Sequence, residues 1–261
     1  MTDQEAMPGK PKNYLIDMDG VLVRGSTVIP GAPEFLQRLD QRGAKFLILT
    51  NNSLYTQRDL RLRLERIGLD VPEDAIYTSA LATARFLHDQ RPRATAFVVG
   101  EAGLTTALYE VGYTLVDTDP EYVVIGETSS YSFERITRAV RLVAGGARLI
   151  ATNPDVAGPG DGGLVPATGA IAALIQSATG VAAYSVGKPN PLMMRTALNA
   201  IDAHSEESVM VGDNMATDIV AGVESGLETI LVLSGVTSRE TIGQHAFQPT
   251  RIVDSVADIE P

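Results

Sequence analysis

Four short apolar runs in this chain each stop at residues able to do chemistry, and that arrangement narrows the folds open to it. Tyr14-Leu15-Ile16 stops at Asp17, and Phe46-Leu47-Ile48-Leu49 at Thr50-Asn51-Asn52-Ser53. Tyr184-Ser185-Val186 leads into Gly187-Lys188, and Val209-Met210-Val211 into Gly212-Asp213. Uninterrupted apolar runs of this length suit parallel strands buried on both faces. Helical patterns fall between them: Pro33 to Leu39, closed by Gly43, and Leu60, Leu62, Leu64 and Ile67, stopped by Gly68. Asn190 and Pro191 suit the cap and first turn of a further helix. Another helix is expected from about Ala216, and Ile230-Leu231-Val232-Leu233 is the last clear strand. The alternation predicts an α/β fold with a parallel sheet. Ligands of such sheets bind outside the carboxyl ends of the strands, so the four ends are expected to converge on one pocket.

The stretch between Ser53 and Lys188 is far longer than the roughly 30 residues of one crossover unit. The surplus, on the order of 100 residues, is the size of a small domain. It carries its own strands (Ala96–Val99, Tyr122–Ile125, Arg148–Ala151) and helices (Thr105–Glu110, Phe133–Ala144, Gly169–Thr179). Residues 81–183 are therefore expected to form an inserted cap over a core made of residues 1–80 and 184–261.

Composition closes off several functions. The chain of 261 residues has no cysteine, which excludes thiol nucleophiles, disulfides and Cys-ligated metals. A formal charge of −11 argues against a nucleic-acid polymer or an anionic membrane surface as partner. No apolar run reaches the roughly eighteen residues of a membrane span. Met1 to Lys12 is polar and lacks the apolar stretch of a secretory signal, so a frayed tail and a cytoplasmic protein are expected.

Asp17-Met18-Asp19-Gly20 sets two carboxylates two residues apart as a strand runs out, with Gly20 positioned for a turn. Acids so close need a cation or a shared proton. One can attack phosphorus while the other carries a proton to and from the departing oxygen. A calcium loop starting at Asp17 fails, because Val28 occupies its twelfth position. Thr50, Asn51 and their neighbours offer hydroxyl, amide and backbone donors for phosphate oxygens. Gly187-Lys188 is not a P-loop, since Pro189 follows where Ser or Thr is needed, and Lys188 is better placed as a point charge on phosphate. Gly212-Asp213-Asn214, with Asp218 beyond, adds two acids of the hard-oxygen type that Mg²⁺ prefers. Gly158-Pro159-Gly160-Asp161-Gly162-Gly163 lacks the strand–loop–helix setting of a dinucleotide loop and is expected to be a flexible loop. Taken singly, each motif has a plainer reading: solvated aspartates, a helix cap, a snorkelling lysine, a first-turn acid beside a helix dipole.

Together and in this order, Asp17-Met18-Asp19-Gly20-Val21, Thr50-Asn51-Asn52, Lys188-Pro189 and Gly212-Asp213-Asn214 with Asp218 resemble the haloacid dehalogenase superfamily of phosphotransferases. Gly126-Glu127-Thr128, Ala151-Thr152-Asn153-Pro154-Asp155 and Gly226-Leu227-Glu228-Thr229-Ile230-Leu231-Val232 narrow the likeness to its NagD-type phosphatases, which carry a large α/β cap. The resemblance implies a Rossmann-like core and a phosphomonoesterase. It implies Asp17 as nucleophile and Mg²⁺ ligand, and Asp19 as general acid/base whose backbone carbonyl also meets the metal. Thr50, Asn51 and Lys188 would hold the phosphoryl group, and Asp213 would complete the metal shell, with Asp218 in it or just behind it. Asn52-Ser53 departs from the aromatic–proline pair of close nucleotide phosphatases, and the glycine-rich loop is longer.

The expected substrate is a small phosphate ester, with nucleoside monophosphates such as UMP first and sugar phosphates, pyridoxal phosphate and phosphoglycolate as competitors. Asn153 and Asp155, stiffened by Pro154, are expected to reach from the cap to the leaving group, with Asn214 beside them. A phosphomutase and a catalytically dead metabolite-binding protein are the alternatives of other classes. Oligomeric state stays open, and an exposed cap face is where a homo-oligomer would form.

Overall fold

The structure, a computed structural model, describes residues 11–160 and 162–261. Asp161 and most of the expected N-terminal tail lie outside the described residues. The chain lays down β1 (Asn13–Asp17), a small antiparallel flap of β2 (Val23–Arg24) and β3 (Thr27–Val28), then β4 (Phe46–Thr50) and β5 (Ile76–Thr78). It continues through β6 (Thr95–Val99), β7 (Thr114–Leu115), β8 (Tyr122–Ile125) and β9 (Arg148–Ala151). A hairpin of β10 (Ala157–Gly160) and β11 (Gly163–Pro166) follows, then β12 (Tyr184–Ser185). β13 (Ser208–Gly212), β14 (Glu228–Val232) and β15 (Arg251–Val253) complete the chain. Two parallel sheets result: a six-stranded one in the order β15-β14-β13-β1-β4-β5, and a five-stranded one in the order β12-β9-β8-β6-β7. This is the α/β fold of a Rossmann-like core with an inserted α/β cap.

Strand parity explains how the layers stack, because successive side chains point to opposite faces. In the first sheet Tyr14, Ile16, Ile48, Val209, Val211, Ile230 and Val232 face one way, onto Phe35, Leu36, Leu39, Leu60 and Leu64. Phe35, Leu36 and Leu39 share one face of the helix Ala32–Gln41, which opens with Pro33 in its first turn. Leu60 and Leu64 lie on the helix Gln57–Arg66, started by a reciprocal Thr56–Asp59 capping box. The opposite residues Leu15, Leu47, Leu49 and Met210 join Met193, Met194, Ala197 and Leu198 of the helix Pro191–Ala200. That same apolar layer runs on into Ala96, Val98, Tyr122, Val124 and Ile150 of the second sheet. Core and cap thus share one continuous buried layer. The outer face of the second sheet, Phe97, Val99, Val123, Ile125 and Leu149, is covered by Ile136, Ala139, Val143, Ile171 and Ile175.

Several expectations need correction. Tyr184-Ser185 does not enter the core sheet; it pairs with Ile150 and Ala151 as an edge strand of the second sheet. Val186 and Gly187 stay bonded to the carbonyls of Ala151 and Thr152, so Lys188 is delivered to the core from the cap side. In the glycine-rich segment at 158–163, expected as a flexible loop, residues 158–160 and 163 belong to the antiparallel strands β10 and β11, and Asp161 lies outside the described residues. The Ile230 run is β14, and the edge strands β5, β7 and β15 escape the sequence pattern. Each is only two or three residues long, too short to present a pattern. Among the described residues, no helix is long and apolar enough to cross a membrane.

Candidate active site

β1, β4 and β13 lie side by side and parallel, so Asp17, Thr50 and Asp213 emerge at one edge. Asp17 is the last residue of β1, and its Oδ1 accepts the N–H of Met18 at 2.8 Å. The chain then turns: Leu22 and Val23 donate back to the Met18 carbonyl, and Gly20 adopts φ +80°. A Cβ on Gly20 would lie 2.3 Å from Asp213 Oδ2, so only glycine lets this turn approach the neighbouring acid. The turn leaves Asp19 exposed to the cavity, although desolvation there still raises its carboxyl, with Lys188 opposing.

Lys188 is 3% exposed and reaches the same edge. Its Nζ donates to Asp17 Oδ1 at 2.5 Å and Asp218 Oδ1 at 2.7 Å. Burial alone would lower this ammonium, but Asp17 and Asp218 together outweigh it and hold it above the usual lysine value. Asp218 is fully buried and accepts the Asn214 N–H on Oδ2 at 3.1 Å. It sits in a wide helical turn, Met215–Ile219, ahead of the helix Val220–Glu224, close to where a helix was expected. Gly212 makes room for it: a Cβ there would lie 2.1 Å from the Asp218 Cβ. Asp213 Oδ2 accepts the Val236 N–H at 2.6 Å, a contact from the loop after β14 that sequence reasoning did not find.

Asp17, Asp213 and Asp218 present carboxylate oxygens within 4.8 Å of one another, all on buried residues. Three carboxylates against one ammonium leave two negative charges in a desolvated cluster. Burial, then Asp218, raises the Asp17 carboxyl well above its ordinary range despite Lys188. Burial, again with Asp218, pushes Asp213 up to about 6 against the Val236 N–H. A divalent cation with hard-oxygen preference fits this donor set and its charge deficit. The Asp19 side chain is outside that cluster, and Asp218, bonded to Lys188 and the Asn214 N–H, is within it.

Above the cluster lies a cavity of about 760 Å³ lined from both sheets. Asp17, Asp19, Thr50, Asn51, Lys188, Asp213 and Asn214 all line it. Two expectations change in detail. Asn51 borders the cavity, but its amide Nδ2 is already engaged, at 3.0 Å, with Asp155 Oδ2 and with the Lys188 carbonyl. It braces core against cap. Asn153 is fully buried and does not line the cavity; its Nδ2 donates to the Asn51 carbonyl at 2.8 Å and its Oδ1 accepts the Asp155 N–H at 3.1 Å. It is a brace as well, and its neighbour Asp155 is the one that faces the cavity. Asn214 caps the turn at Ala216 through Oδ1 at 2.9 Å.

The cavity also brings in residues that the sequence reading did not single out: Arg24 of the flap, Tyr131, the hairpin residue Val165, and Glu127 and Thr128, quoted only within a longer string. Glu127 follows β8 by two residues, as Asp19 follows β1. Applying the strand-end argument to the second sheet would have found it.

The chain matches two family models: "Haloacid dehalogenase-like hydrolase" over residues 14–114 and a HAD-hydrolase-like model over residues 185–259. It is 55% identical over 247 residues to the dihydroxyacetone phosphatase of Corynebacterium glutamicum, covering 95% of this chain and 90% of that one. It is 47% identical to the ribonucleotide monophosphatase NagD of Escherichia coli K12, covering 95% of this chain and 98% of NagD. The solved NagD structure superposes with a TM-score of 0.91 over 96% of this chain and 99% of its own. A buried acid–lysine cluster at the strand ends of such a core, with likeness along nearly the whole length, places this chain among the haloacid dehalogenase-like hydrolases, as a phosphatase of the NagD type.

Proposed function

We propose that the protein is a Mg²⁺-dependent phosphomonoesterase that works through a phosphoryl group carried transiently on Asp17. The observation that carries this reading is the cluster of Asp17, Lys188, Asp213 and Asp218 at the floor of the shared cavity, with Asp19 open to it. The division of labour has residues 1–80 and 184–261 as the catalytic core and 81–183 as the cap. The pairing of β12 with β9 supports moving the cap's end to Ser185.

Asp17, Asp213 and Asp218 would hold Mg²⁺, with the Asp19 carbonyl completing the set. Bound there, Mg²⁺ would neutralise negative charge on the phosphoryl oxygens. A carboxylate oxygen of Asp17 attacks phosphorus, and the bond from phosphorus to the leaving oxygen breaks as Asp19 gives that oxygen a proton. A raised carboxyl lets Asp19 hold this proton more readily than an ordinary aspartate would. Water then attacks phosphorus and gives its proton to Asp19; the bond to Asp17 breaks and inorganic phosphate leaves. Lys188 and the Thr50 hydroxyl meet charge on the phosphoryl oxygens, in positions set before the substrate arrives.

For the substrate, the first reading is a small phosphate ester with an uncharged, hydroxylated leaving group, such as dihydroxyacetone phosphate, supported by the 55% identity to a dihydroxyacetone phosphatase. The second is a nucleoside monophosphate such as UMP, favoured by a cavity of about 760 Å³, larger than a triose fills. The test is phosphate release from both esters and a wider panel, with and without Mg²⁺, beside Asp17→Asn and Asp19→Asn. Loss of turnover in both variants is expected. Turnover surviving in Asp17→Asn would refute the phosphoaspartate route.

A further inference from the structure

The cap wall of the cavity carries acids without the lysine that its floor holds. Among the described residues lining that wall are Glu127, Thr128, Tyr131 and Asp155, and none of the wall's described residues is a cation. The cavity's cations come from the core side. Lys188 is held by Asp17 and Asp218, and the Arg24 guanidinium donates to the Ser234 carbonyl. A leaving group passing beyond the phosphoryl site therefore meets carboxylates and hydroxyls.

Glu127 is the most firmly placed of these. Its backbone N–H donates to Ser53 Oγ at 2.8 Å, and its Oε2 accepts the Ser53 N–H at 2.9 Å. Ser53 Oγ also receives the Thr152 hydroxyl at 3.0 Å, so the clamp is tied to the end of β9 as well. Ser53 closes the loop that begins at Thr50, which fixes the carboxylate relative to the proposed phosphoryl pocket. One accepted bond leaves most of a carboxylate's acceptor capacity unused. Burial pushes the Glu127 carboxyl up to about 7 against the Ser53 N–H, with Asp155 and Asp19 adding to the rise. Above that pH the ionised carboxylate gains from a hydroxyl donor and resists a second anion, because like charges interact strongly where water is excluded.

We propose that Glu127 sets the leaving-group preference of this phosphatase, accepting hydrogen bonds from hydroxylated leaving groups and excluding those that carry a carboxylate. The inference rests on the phosphomonoesterase reading and sharpens its substrate class: polyol phosphates are favoured and phosphoglycolate-like esters rejected.

The experiment compares kcat/KM of the full chain with Mg²⁺ at pH ~8.5, where Glu127 is ionised, on glycerol phosphate and on phosphoglycerate, which differ by a hydroxymethyl against a carboxylate. Glu127→Gln keeps an acceptor oxygen for the Ser53 N–H and drops the charge. Wild type should prefer glycerol phosphate, and Glu127→Gln should shrink that preference about tenfold or more, the weight of one removed like-charge contact at low effective dielectric. A wild type indifferent to the pair, or favouring phosphoglycerate, overturns the inference without any variant. A Glu127→Gln enzyme that loses activity equally on both esters also overturns it, leaving Glu127 a purely structural clamp. Wild type that releases phosphate from neither ester nor from p-nitrophenyl phosphate would instead bring down the phosphomonoesterase reading, and this inference with it.

Discussion

Replacing Lys188 by methionine tests whether the ammonium neutralises the acid cluster or merely fills space. Methionine keeps most of the side chain's volume and removes two bonds, at 2.5 and 2.7 Å, to Asp17 and Asp218 on a residue 3% exposed. Removing one partner of a buried ion pair typically costs about 3–5 kcal/mol, because the other charges stay buried. For a chain of this size each kcal/mol moves Tm by about 2 °C, so the melt of metal-free protein should fall by roughly 6–10 °C. The sign of the pH dependence separates the two explanations. Asp17 and Asp213 already have raised folded-state carboxyls, Asp213 at about 6. Such groups contribute stability below their unfolded value, and lose it as pH rises through the folded one. Without Lys188 the rise is larger, so the gap between wild type and variant should be small near pH ~4 and widest above pH ~7. Mg²⁺ should raise the variant's Tm more than the wild type's, since the more negative cluster binds it more tightly. The assay is differential scanning fluorimetry across that pH range, with EDTA and with Mg²⁺. A constant gap, unmoved by Mg²⁺, would refute the charge argument and leave Lys188 a packing residue.

Other expectations follow from the same geometry. In wild type the Tm gain from saturating Mg²⁺ should be larger at pH ~7.5 than at pH ~5, because protons and metal compete for Asp213 and Asp17; an unchanged gain would argue against metal in this cluster. Gly212→Ala forces a Cβ to 2.1 Å from the Asp218 Cβ and should cost about 1–3 kcal/mol by urea denaturation, with turnover falling further than stability. Phe35→Ala, at a fully buried ring packed edge-on against Tyr14 at 5.9 Å, should cost about 3–5 kcal/mol by the same method and leave KM unchanged. Ser53→Ala takes an acceptor from the Glu127 N–H and the Thr152 hydroxyl, and should cost about 1–3 kcal/mol in thermal melts.

Much of the site was legible because its signals are local. An apolar run and the polar residue ending it lie next to each other in sequence, so Asp17, Thr50 and Asp213 could be assigned to strand ends directly. Helices with full caps or a wide apolar face, such as Gln57–Arg66 and Phe133–Ala144, were equally plain. Residue type also limited the chemistry on offer: the chain has no cysteine, and its 32 acids outnumber its 21 lysines and arginines, which points to carboxylates with a balancing cation.

Partnership was left to the tertiary structure. Tyr184-Ser185 reads like any short strand, and only the free edge of β9 drew it into the second sheet and sent Lys188 to the acids from the cap side. Asn153 and Asp155 are two positions apart, yet one is sealed inside as a brace and the other faces the cavity, because Asn51 arrives between core and cap to bind both. A strand-end pattern can point to Glu127, but its tie to the loop at Ser53, 74 residues away, exists only in the fold. Sequence patterns report which face of an element is apolar; which polar groups meet across elements depends on how those faces stack, and no local periodicity encodes it.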